Sequence, residues 1–185
     1  LNPEVRNVIV KDTDVNCIGE DAMYTFAGGV VGGMWWGSAQ YITNCSYING
    51  NVHASSMSGM SYAGGIAGQG GPNATINSSY VVNSNVYCFN GSNKQSGAGG
   101  IVGYTRHSNG AVTYANNYSN AYVFAEGSSS SIGGIYANGG AGNNSDINYF
   151  DPFKMNILTL IMLILHLAIQ VVGQDLVAVI IINLR

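Results

Sequence analysis

Short stretches of alternating hydrophobic and polar residues recur along the first 151 residues of the chain. "NVHA" from Asn51, "NVYC" from Asn85 and "YVFA" from Tyr122 each place a valine two residues before a small residue, Ala or Cys. This period of two is typical of a β-strand with one buried face. The valines and the small residues therefore share the inward face of each strand. The inward positions are Val15, Val52, Val86, Val123, Cys17, Ala54, Cys88 and Ala125, and the outward positions between them are Asn16, His53, Tyr87 and Phe124.

A glycine-rich phrase keeps step with these strands. It reads "AGGVVGG" from Ala27, "AGGIAGQ" from Ala63, "AGGIVGY" from Ala98 and, more loosely, "IGGIYAN" from Ile132, at intervals of 36, 35 and 34 residues. A fixed period of this size indicates a stacked repeat architecture. Each repeat is predicted to contain an Asn-rich strand, a second short strand, a loop, a Gly-rich strand and a further loop.

The columns predict an all-β fold, a right-handed parallel β-helix (solenoid) of about four coils of ~35 residues, with equivalent residues about 4.8 Å apart. Two roles are expected for the glycines: a positive φ at a corner, or a close approach of backbones that a Cβ would prevent. Flexible Gly/Ser linkers are the alternative interpretation, but a linker has no reason to keep valines in register. The predicted structural glycines are Gly28, Gly29, Gly32, Gly64, Gly65, Gly68, Gly99, Gly100, Gly103, Gly133 and Gly134.

The low content of charged residues mainly excludes classes of function. Between Ala22 and Ala125 the charged residues are Lys94 and Arg106, and the whole chain has a net charge of −3. Because nucleic-acid binding depends on clustered positive charge, no nucleic-acid partner is expected. Asn, Ser, Gly and Tyr dominate the repeats, and Asn side chains in register are predicted to pair along a ladder.

The phrase "AGGIVG" from Ala98, combined with an Ile-x-Asn-Cys/Ser-x-Tyr strand at a period of about 35 residues, resembles the GLUG-motif repeat proteins. Those repeats occur in surface and secreted proteins of bacteria and some protists, beside immunoglobulin A-cleaving metallopeptidase domains or in adhesin-like architectures. The resemblance covers about residues 1–151. It departs from the motif in having Ile or Val for Leu, and Ala137 for the last glycine of the fourth copy. The resemblance implies an extracellular or cell-surface module and brings no catalytic residue.

The residues themselves suggest little chemistry. No histidine stands in a His-Glu-x-x-His motif, so no zinc site carries over. "DTDVN" from Asp12 begins like a calcium loop, but Cys17 replaces the glycine at position six and Met23 replaces the glutamate at position twelve. Val102 breaks the dinucleotide-binding glycine pattern. We therefore predict no catalytic, cofactor-binding or metal site.

The three cysteines are Cys17, Cys45 and Cys88. Cys17 and Cys88 share a column but lie two coils apart, about 10 Å, which exceeds the roughly 7 Å limit for a disulfide. They are predicted to be buried small residues without a bridge.

Asn-x-Ser/Thr triplets are candidate N-glycosylation sites if the chain is secreted by a eukaryotic cell. A chain so rich in Asn and Ser also produces such triplets by chance. They begin at Asn44, Asn73, Asn77, Asn90, Asn117 and Asn143.

The composition changes abruptly after the repeats, and we divide the chain into a repeat region, 1–151, and a hydrophobic tail, 152–185. The stretch 155–172 carries no charge and is long enough to span a bilayer as a helix, which predicts a membrane anchor. The alternative is a frameshift artefact, because reading one base earlier converts many tail codons to the Asn, Ser and Gly codons typical of the repeats. The absence of an initiator Met before Leu1 leads us to expect a fragment.

Two classes of function fit this sequence. The first is a non-catalytic extracellular repeat module of an adhesin-like, surface or secreted protein, which presents its loops to host or matrix glycans or proteins. The second is a fragment of a carbohydrate-active β-helix enzyme, or the repeat region beside a metallopeptidase domain. Sugar cleavage needs paired carboxylates, and the repeats contain very few acidic residues, so we predict that the chain is not an enzyme.

Overall fold

The computed structural model describes residues 2–35, 39–106, 112–127, 129–139 and 147–149, and every regular element in these ranges is a β-strand. The first two coils comprise β1 (Glu4–Arg6), β2 (Ile9–Lys11), β3 (Asp14–Gly19), β4 (Tyr24–Gly28), β5 (Val31–Gly33), β6 (Gln40–Thr43), β7 (Ser46–Ile48), β8 (Asn51–Ser56), β9 (Met60–Gly64) and β10 (Ala67–Gly70).

The following strands repeat the same order of five per coil. They are β11 (Ala74–Asn77), β12 (Tyr80–Val82), β13 (Asn85–Asn90), β14 (Gln95–Gly99), β15 (Val102–Thr105), β16 (Val112–Ala115), β17 (Tyr118–Ser119), β18 (Tyr122–Glu126), β19 (Ser129–Gly133), β20 (Tyr136–Gly139) and β21 (Ile147–Tyr149).

Each coil contributes one strand to each of five parallel sheets, so the predicted all-β solenoid is confirmed. Four coils are stacked in sheets B to E, and sheet A contains one strand more. The sheets are A (β1, β6, β11, β16, β21), B (β2, β7, β12, β17), C (β3, β8, β13, β18), D (β4, β9, β14, β19) and E (β5, β10, β15, β20).

The register of sheet C is the predicted one. Val15, Val52, Val86 and Val123 are paired in sequence from coil to coil, and the Cys/Ala column follows two residues later. Val52 and Val86, which have a stacked valine on both sides, are fully buried, whereas Val15 and Val123 in the outer coils are only partly buried. Stacking on both sides therefore removes these side chains from water, which is the main favourable term in folding.

The repeat glycines allow sheets D and E to approach until their backbones touch. In one column, a Cβ on Gly28, Gly64, Gly99 or Gly133 would overlap the carbonyl oxygen three residues further along the chain. In the next column, a Cβ on Gly29, Gly65 or Gly100 would overlap the carbonyl oxygen of the corresponding glycine in the following coil. The predicted role in close backbone approach is confirmed for both columns.

Sheet E contributes a third column of glycines to this contact. A Cβ on Gly68 would lie 2.8 Å from the nitrogen of Ala27, and one on Gly103 would lie 2.6 Å from the carbonyl oxygen of Ala63. Gly32 and Gly134 are exceptions, since a Cβ would have its nearest neighbour at 3.5 Å on Gly32 and none within 4 Å on Gly134. These two positions have room for a side chain.

The other expected role, positive φ at a corner, is wrong for the repeat glycines. Among the described glycines only Gly127, which lies outside the phrases, has a positive φ. Asparagine forms the corners instead, because its short polar side chain tolerates the left-handed region. The corner residues with φ between 49° and 61° include Asn7, Asn44, Ser78 and Asn116 after sheet A, and Asp12, Asn49 and Asn83 after sheet B.

Asparagine side chains also form the predicted ladder. The Asn44 amide donates to Oδ1 of Asn7 at 2.8 Å, and the Asn85 amide donates to Oδ1 of Asn51 at 2.7 Å. The Asn51 amide in turn donates to Asp14 at 2.7 Å. These bonds run from coil to coil and add polar pairing to the parallel sheets.

Cys17, Cys45 and Cys88 are free thiols, and Cys45 and Cys88 are fully buried. The predicted burial is confirmed for Cys88 but is wrong for Cys17, which is only partly buried because it lies in the first coil and is covered from one side. Cys17 and Cys88 both pair with Ala54, from opposite sides, so two coil steps separate them. Within the described ranges, no helix has the length and apolar character needed to cross a membrane. The predicted tail, 152–185, with its candidate anchor at 155–172, lies outside those ranges.

Buried tyrosines make the fold sensitive to alkali. Tyr47 has its hydroxyl within hydrogen-bonding distance of the carbonyl oxygens of Thr13 and Asn51. Burial and, secondarily, the charge of Asp14 raise the pKa of Tyr47 to about 12. Burial also raises the pKa of Tyr62 and Tyr114 above the ordinary value for tyrosine.

The first prediction concerns the contact between sheets D and E. Gly64→Ala is expected to lower the free energy of unfolding by about 1–3 kcal/mol or more, because its Cβ overlaps backbone that has no space to move. Gly32→Ala, in the Gly phrase of the preceding coil, is the matched control and should be neutral or stabilising by up to about 1 kcal/mol. Urea unfolding followed by circular dichroism measures both. Equal losses in the two variants would contradict the close-approach role.

The second prediction concerns pH. A tyrosine whose pKa is raised by folding stabilises the protein below the pKa of the unfolded chain, about 10, and that stability is lost as the pH rises through the folded value. The melting temperature should therefore fall between about pH 10 and pH 12. Tyrosinate absorbance should rise together with unfolding. In Tyr47→Phe, one phenol fewer should ionise in the pH range where the protein unfolds. Ionisation of every tyrosine without loss of strand signal would contradict the prediction.

Candidate functional site

Most predicted site residues are parts of the scaffold. The glycines provide the contact between sheets D and E and offer no ligand group. Of the sequon asparagines, Asn44 and Asn73 are exposed and have a positive φ, and Asn77 is half-buried. Asn143 lies outside the described residues. Asn44 and Asn73 are therefore the sequon positions most open to solvent in the folded coil.

The remaining two sequon asparagines are bound within the fold. Asn90 is 3% exposed, and its amide nitrogen lies 2.9 Å from the carbonyl oxygen of Gly59 and 3.0 Å from that of Gln95. The amide of Asn117 donates to the carbonyl oxygen of Ile76 at 2.8 Å. Their amide groups hold loops and corners in place.

A column of rings runs along the outer face of sheet C, at the predicted outward positions. The His53 and Tyr87 rings have centroids 4.8 Å apart, and Tyr87 and Phe124 are stacked at 5.4 Å with an angle of 6°. Burial lowers the pKa of His53. Burial, and then a hydrogen bond to Glu126, raise the pKa of Tyr87. Because these rings cover one another's faces, the column mainly stabilises the stacking of coils.

A second group of rings, which we call the aromatic band, lies on sheets D and E. Tyr24 and Phe26 are stacked at 5.7 Å, Phe26 and Tyr62 at 5.7 Å, and Tyr62 and Tyr104 at 4.5 Å. Trp35 meets Tyr24 and Phe26 edge-on at 6.2 Å and 6.0 Å. Trp35 is 47% exposed, whereas Tyr62 is fully buried. The band therefore runs from the interior of the coil to an exposed indole.

The band forms because large and small residues alternate between neighbouring columns of sheets D and E. In the first coil, Phe26 of sheet D lies beside Gly33 of sheet E, and a Cβ on Gly33 would be 3.9 Å from the Phe26 ring. In the third coil the order is reversed, with Gly97 on sheet D and Tyr104 on sheet E. Gly97 pairs with Tyr62 in the register of sheet D, so no side chain follows Tyr62 in its own column, and Tyr104 stacks on the Tyr62 ring.

Gln69 occupies the middle of the sheet E column, between Gly33 and Tyr104. It is 1% exposed, and neither its side-chain nitrogen nor its side-chain oxygen has a hydrogen-bond partner among the described residues. A Cβ on Gly33 would lie 3.8 Å from Oε1 of Gln69, so the glycine leaves space beside the amide. An unpaired buried amide costs about 1–3 kcal/mol for each group, and the usual partner is water or a ligand.

The backbone continues to stack beyond sheet E. The Met34 nitrogen donates to the Gln69 carbonyl oxygen at 2.9 Å, and the Arg106 nitrogen donates to the Gly70 carbonyl oxygen at 2.9 Å. This register puts Gly71 between Trp35 and Arg106, which belong to the first and third coils. The Arg106 guanidinium lies 6.0 Å from the Trp35 ring centroid, the outer limit of a cation–π contact. A Cβ on Gly71 would lie 2.5 Å and 2.7 Å from the carbonyl oxygens of Met34 and Trp35, so this glycine allows the first two coils to approach closely.

The sequence contained a signal for this band that the repeat pattern concealed. Gly33, Gln69 and Tyr104 each take the seventh position of a Gly phrase, and Trp35 and Arg106 stand two residues after the first and third of them. A varying position beside an invariant one is typical of a binding surface on a repeat scaffold.

The chemistry gathered here suits recognition. Rings, one carboxamide and one guanidinium provide apolar contact and hydrogen bonds, which is the usual composition of a small-molecule site. Burial raises the pKa of Tyr104, and the nearby Arg106 charge partly opposes that shift. Within the described ranges, no group of three His, Cys, Asp or Glu side chains is arranged to hold a metal ion.

No protein-family model and no curated protein matches the chain. Among solved structures, the chain is similar to the crystal structure of "a putative immunoglobulin A1 protease from Bacteroides ovatus", with a TM-score of 0.54 and 23% sequence identity. The match covers 78% of this chain and 42% of that protein, so the chain spans less than half of its length. At this identity the similarity shows a shared fold.

Proposed function

We propose that this chain is a non-catalytic extracellular repeat module of a surface or secreted protein, and that its outward columns bind a partner. One observation carries the proposal. Inward positions repeat from coil to coil, as in the four valines of sheet C, whereas one outward column of the same sheet carries a different residue in every coil: Asn16, His53, Tyr87 and Phe124. A solenoid needs constant residues for stacking and is free to vary the residues that face solvent.

The placement of reactive side chains supports a non-catalytic role. The thiol of Cys88 is fully buried beside Ser61, and its burial raises its pKa, which disfavours the thiolate that a nucleophile requires. The hydroxyl of Ser61 donates to the carbonyl oxygen of Phe89 at 2.7 Å. Both groups are therefore used to hold strands together.

A second candidate function is favoured by the similarity to the solved protein. If the shared fold reflects a shared architecture, the chain is the repeat region beside a protease domain of an immunoglobulin-cleaving protein. In that arrangement the module would bind a glycoprotein while a separate domain cleaves it. Both candidates place the module outside the cell and assign it binding.

The third prediction tests these proposals together. The purified chain, incubated with immunoglobulin A1, mucin and a pectin-like polysaccharide, should release no new peptide and no new reducing end, because the buried thiol of Cys88 and the hydroxyl of Ser61 are hydrogen-bonded between strands. On the same samples, biolayer interferometry should detect reversible binding to at least one of them. Gel electrophoresis and a reducing-sugar assay measure turnover, with a bacterial immunoglobulin A1 protease and a pectinase as positive controls. Turnover by the chain would overturn the non-catalytic role, and absence of binding to all three would count against the binding role.

A further inference from the structure

We propose that the exposed end of the aromatic band is a binding site for a pyranose sugar, seated against Trp35 in the notch at Gly33, with Gln69 as its hydrogen-bonding group. This inference rests on the proposed binding function and assigns it a ligand class and a place. The site is made by Trp35, Gly33, Gln69, Gly71 and Arg106.

The exposed indole provides the apolar wall. Trp35 is 47% exposed, yet it is oriented by edge contacts to Tyr24 and Phe26 and by the Arg106 guanidinium. A large exposed ring held by other rings loses little conformational entropy when a ligand binds. A pyranose presents a face of C–H groups to such a ring and directs its hydroxyls outward, which matches an apolar body beside polar groups.

The unpaired amide of Gln69 is an independent indication of a ligand. Both of its polar atoms are buried without a partner among the described residues. A carboxamide offers a donor, its NH2 group, and an acceptor, its oxygen. One sugar hydroxyl can accept a hydrogen bond from the amide nitrogen while a neighbouring hydroxyl donates one to the amide oxygen. A site built to pair with hydroxyls discriminates strongly against ligands that lack them, because the buried amide is then left unpaired.

Two glycines shape the space for the sugar. Gly33, Gln69 and Tyr104 occupy the same column of sheet E in the first, second and third coils. Gln69 and Tyr104 fill their positions with a side chain, whereas Gly33 leaves its position empty and its backbone is exposed. A Cβ on Gly71 would lie 2.7 Å from the carbonyl oxygen of Trp35, so this glycine brings the second coil against the Trp35 backbone. Gln69 is 1% exposed, and a Cβ on the exposed Gly33 would lie 3.8 Å from its Oε1, so a sugar hydroxyl reaches the amide beside the Gly33 backbone.

The experiment uses the whole chain and simple probes. The methyl β-pyranosides of glucose, galactose, mannose and N-acetylglucosamine are titrated by saturation-transfer NMR and by tryptophan fluorescence. Glucitol is the control ligand, because it has the hydroxyls of glucose but no ring face. At least one pyranoside should bind, and glucitol should not. Binding of glucitol as strongly as the pyranosides, or binding of none of them, would overturn the proposal.

Three variants locate the site. Trp35→Ala should weaken binding at least about tenfold, as expected for an aromatic hot spot. Gln69→Leu should weaken it about two- to tenfold, the range of one hydrogen bond, while the melting temperature stays the same or rises, because a buried unpaired amide is removed. Gly33→Leu fills the notch without removing a contact, since its Cβ fits at 3.8 Å, and should abolish binding even if Trp35→Ala misfolds.

Tyr122→Ala is the matched control, because Tyr122 is 69% exposed on sheet C of the fourth coil and lies outside the band. Its affinity should equal that of the parent chain. Equal loss of affinity in Tyr122→Ala and Trp35→Ala, or a Gln69→Leu variant that only loses stability, would overturn the assignment. A chain that binds a glycoprotein without binding pyranosides would retain the proposed function and disprove this inference alone.

Discussion

The close contact between sheets D and E is the constraint on which the rest of the structure depends. Two columns of glycine bring backbone against backbone across these sheets, at distances where a single Cβ on Gly64 or Gly68 would overlap a neighbouring main chain, and a third column does the same between successive coils. Facing sheets are normally separated by about 10 Å of interdigitating side chains. In this protein that layer is missing over the glycine columns, and each coil turns from sheet D into sheet E within a few residues.

The same constraint explains the aromatic band. Side chains that flank the glycine columns are brought close together, so a large residue on one sheet needs a small one on the other. Phe26 beside Gly33 follows this rule, since a Cβ on Gly33 would lie 3.9 Å from the Phe26 ring. The rings therefore stack diagonally across coils and end at the exposed Trp35. A surface that differs in each coil thus depends on a core that is the same in each coil.

In the central repeats, neutral polar side chains occupy the solvent-facing positions that charged side chains occupy in most proteins. Asparagines occupy left-handed corners such as Asn44 and Asn49, where their amides also bond to the coil before them. The outer faces therefore carry few charges, and ring and amide contacts become the main chemistry available for recognition. This is the physical link between the repeat composition and the binding role proposed above.

The sequence by itself determined the solenoid, the valine and Cys/Ala columns of sheet C, and the inward position of Val52 and Val86. The reason is that stacked coils require the same kind of residue at the same place in each period. It determined that glycine lies at a close approach, but not which backbone it approaches. The sequence pattern predicted glycine at the corners, but asparagine occupies them. Both residues are favoured in turns, so local preference does not distinguish between them.

Only the tertiary structure decided which variable residues meet. Trp35 and Arg106 are far apart in the chain and lie in different coils, and the stacking of both coils on the coil between them brings the guanidinium to 6.0 Å from the ring. Gln69 reads in the sequence as one polar residue among many, and its burial without a partner depends on atoms from three coils. The repeat period determines how the backbones stack. A site formed from unlike residues depends also on the volumes of all the side chains around it, and these come from several coils, so no single repeat specifies the site.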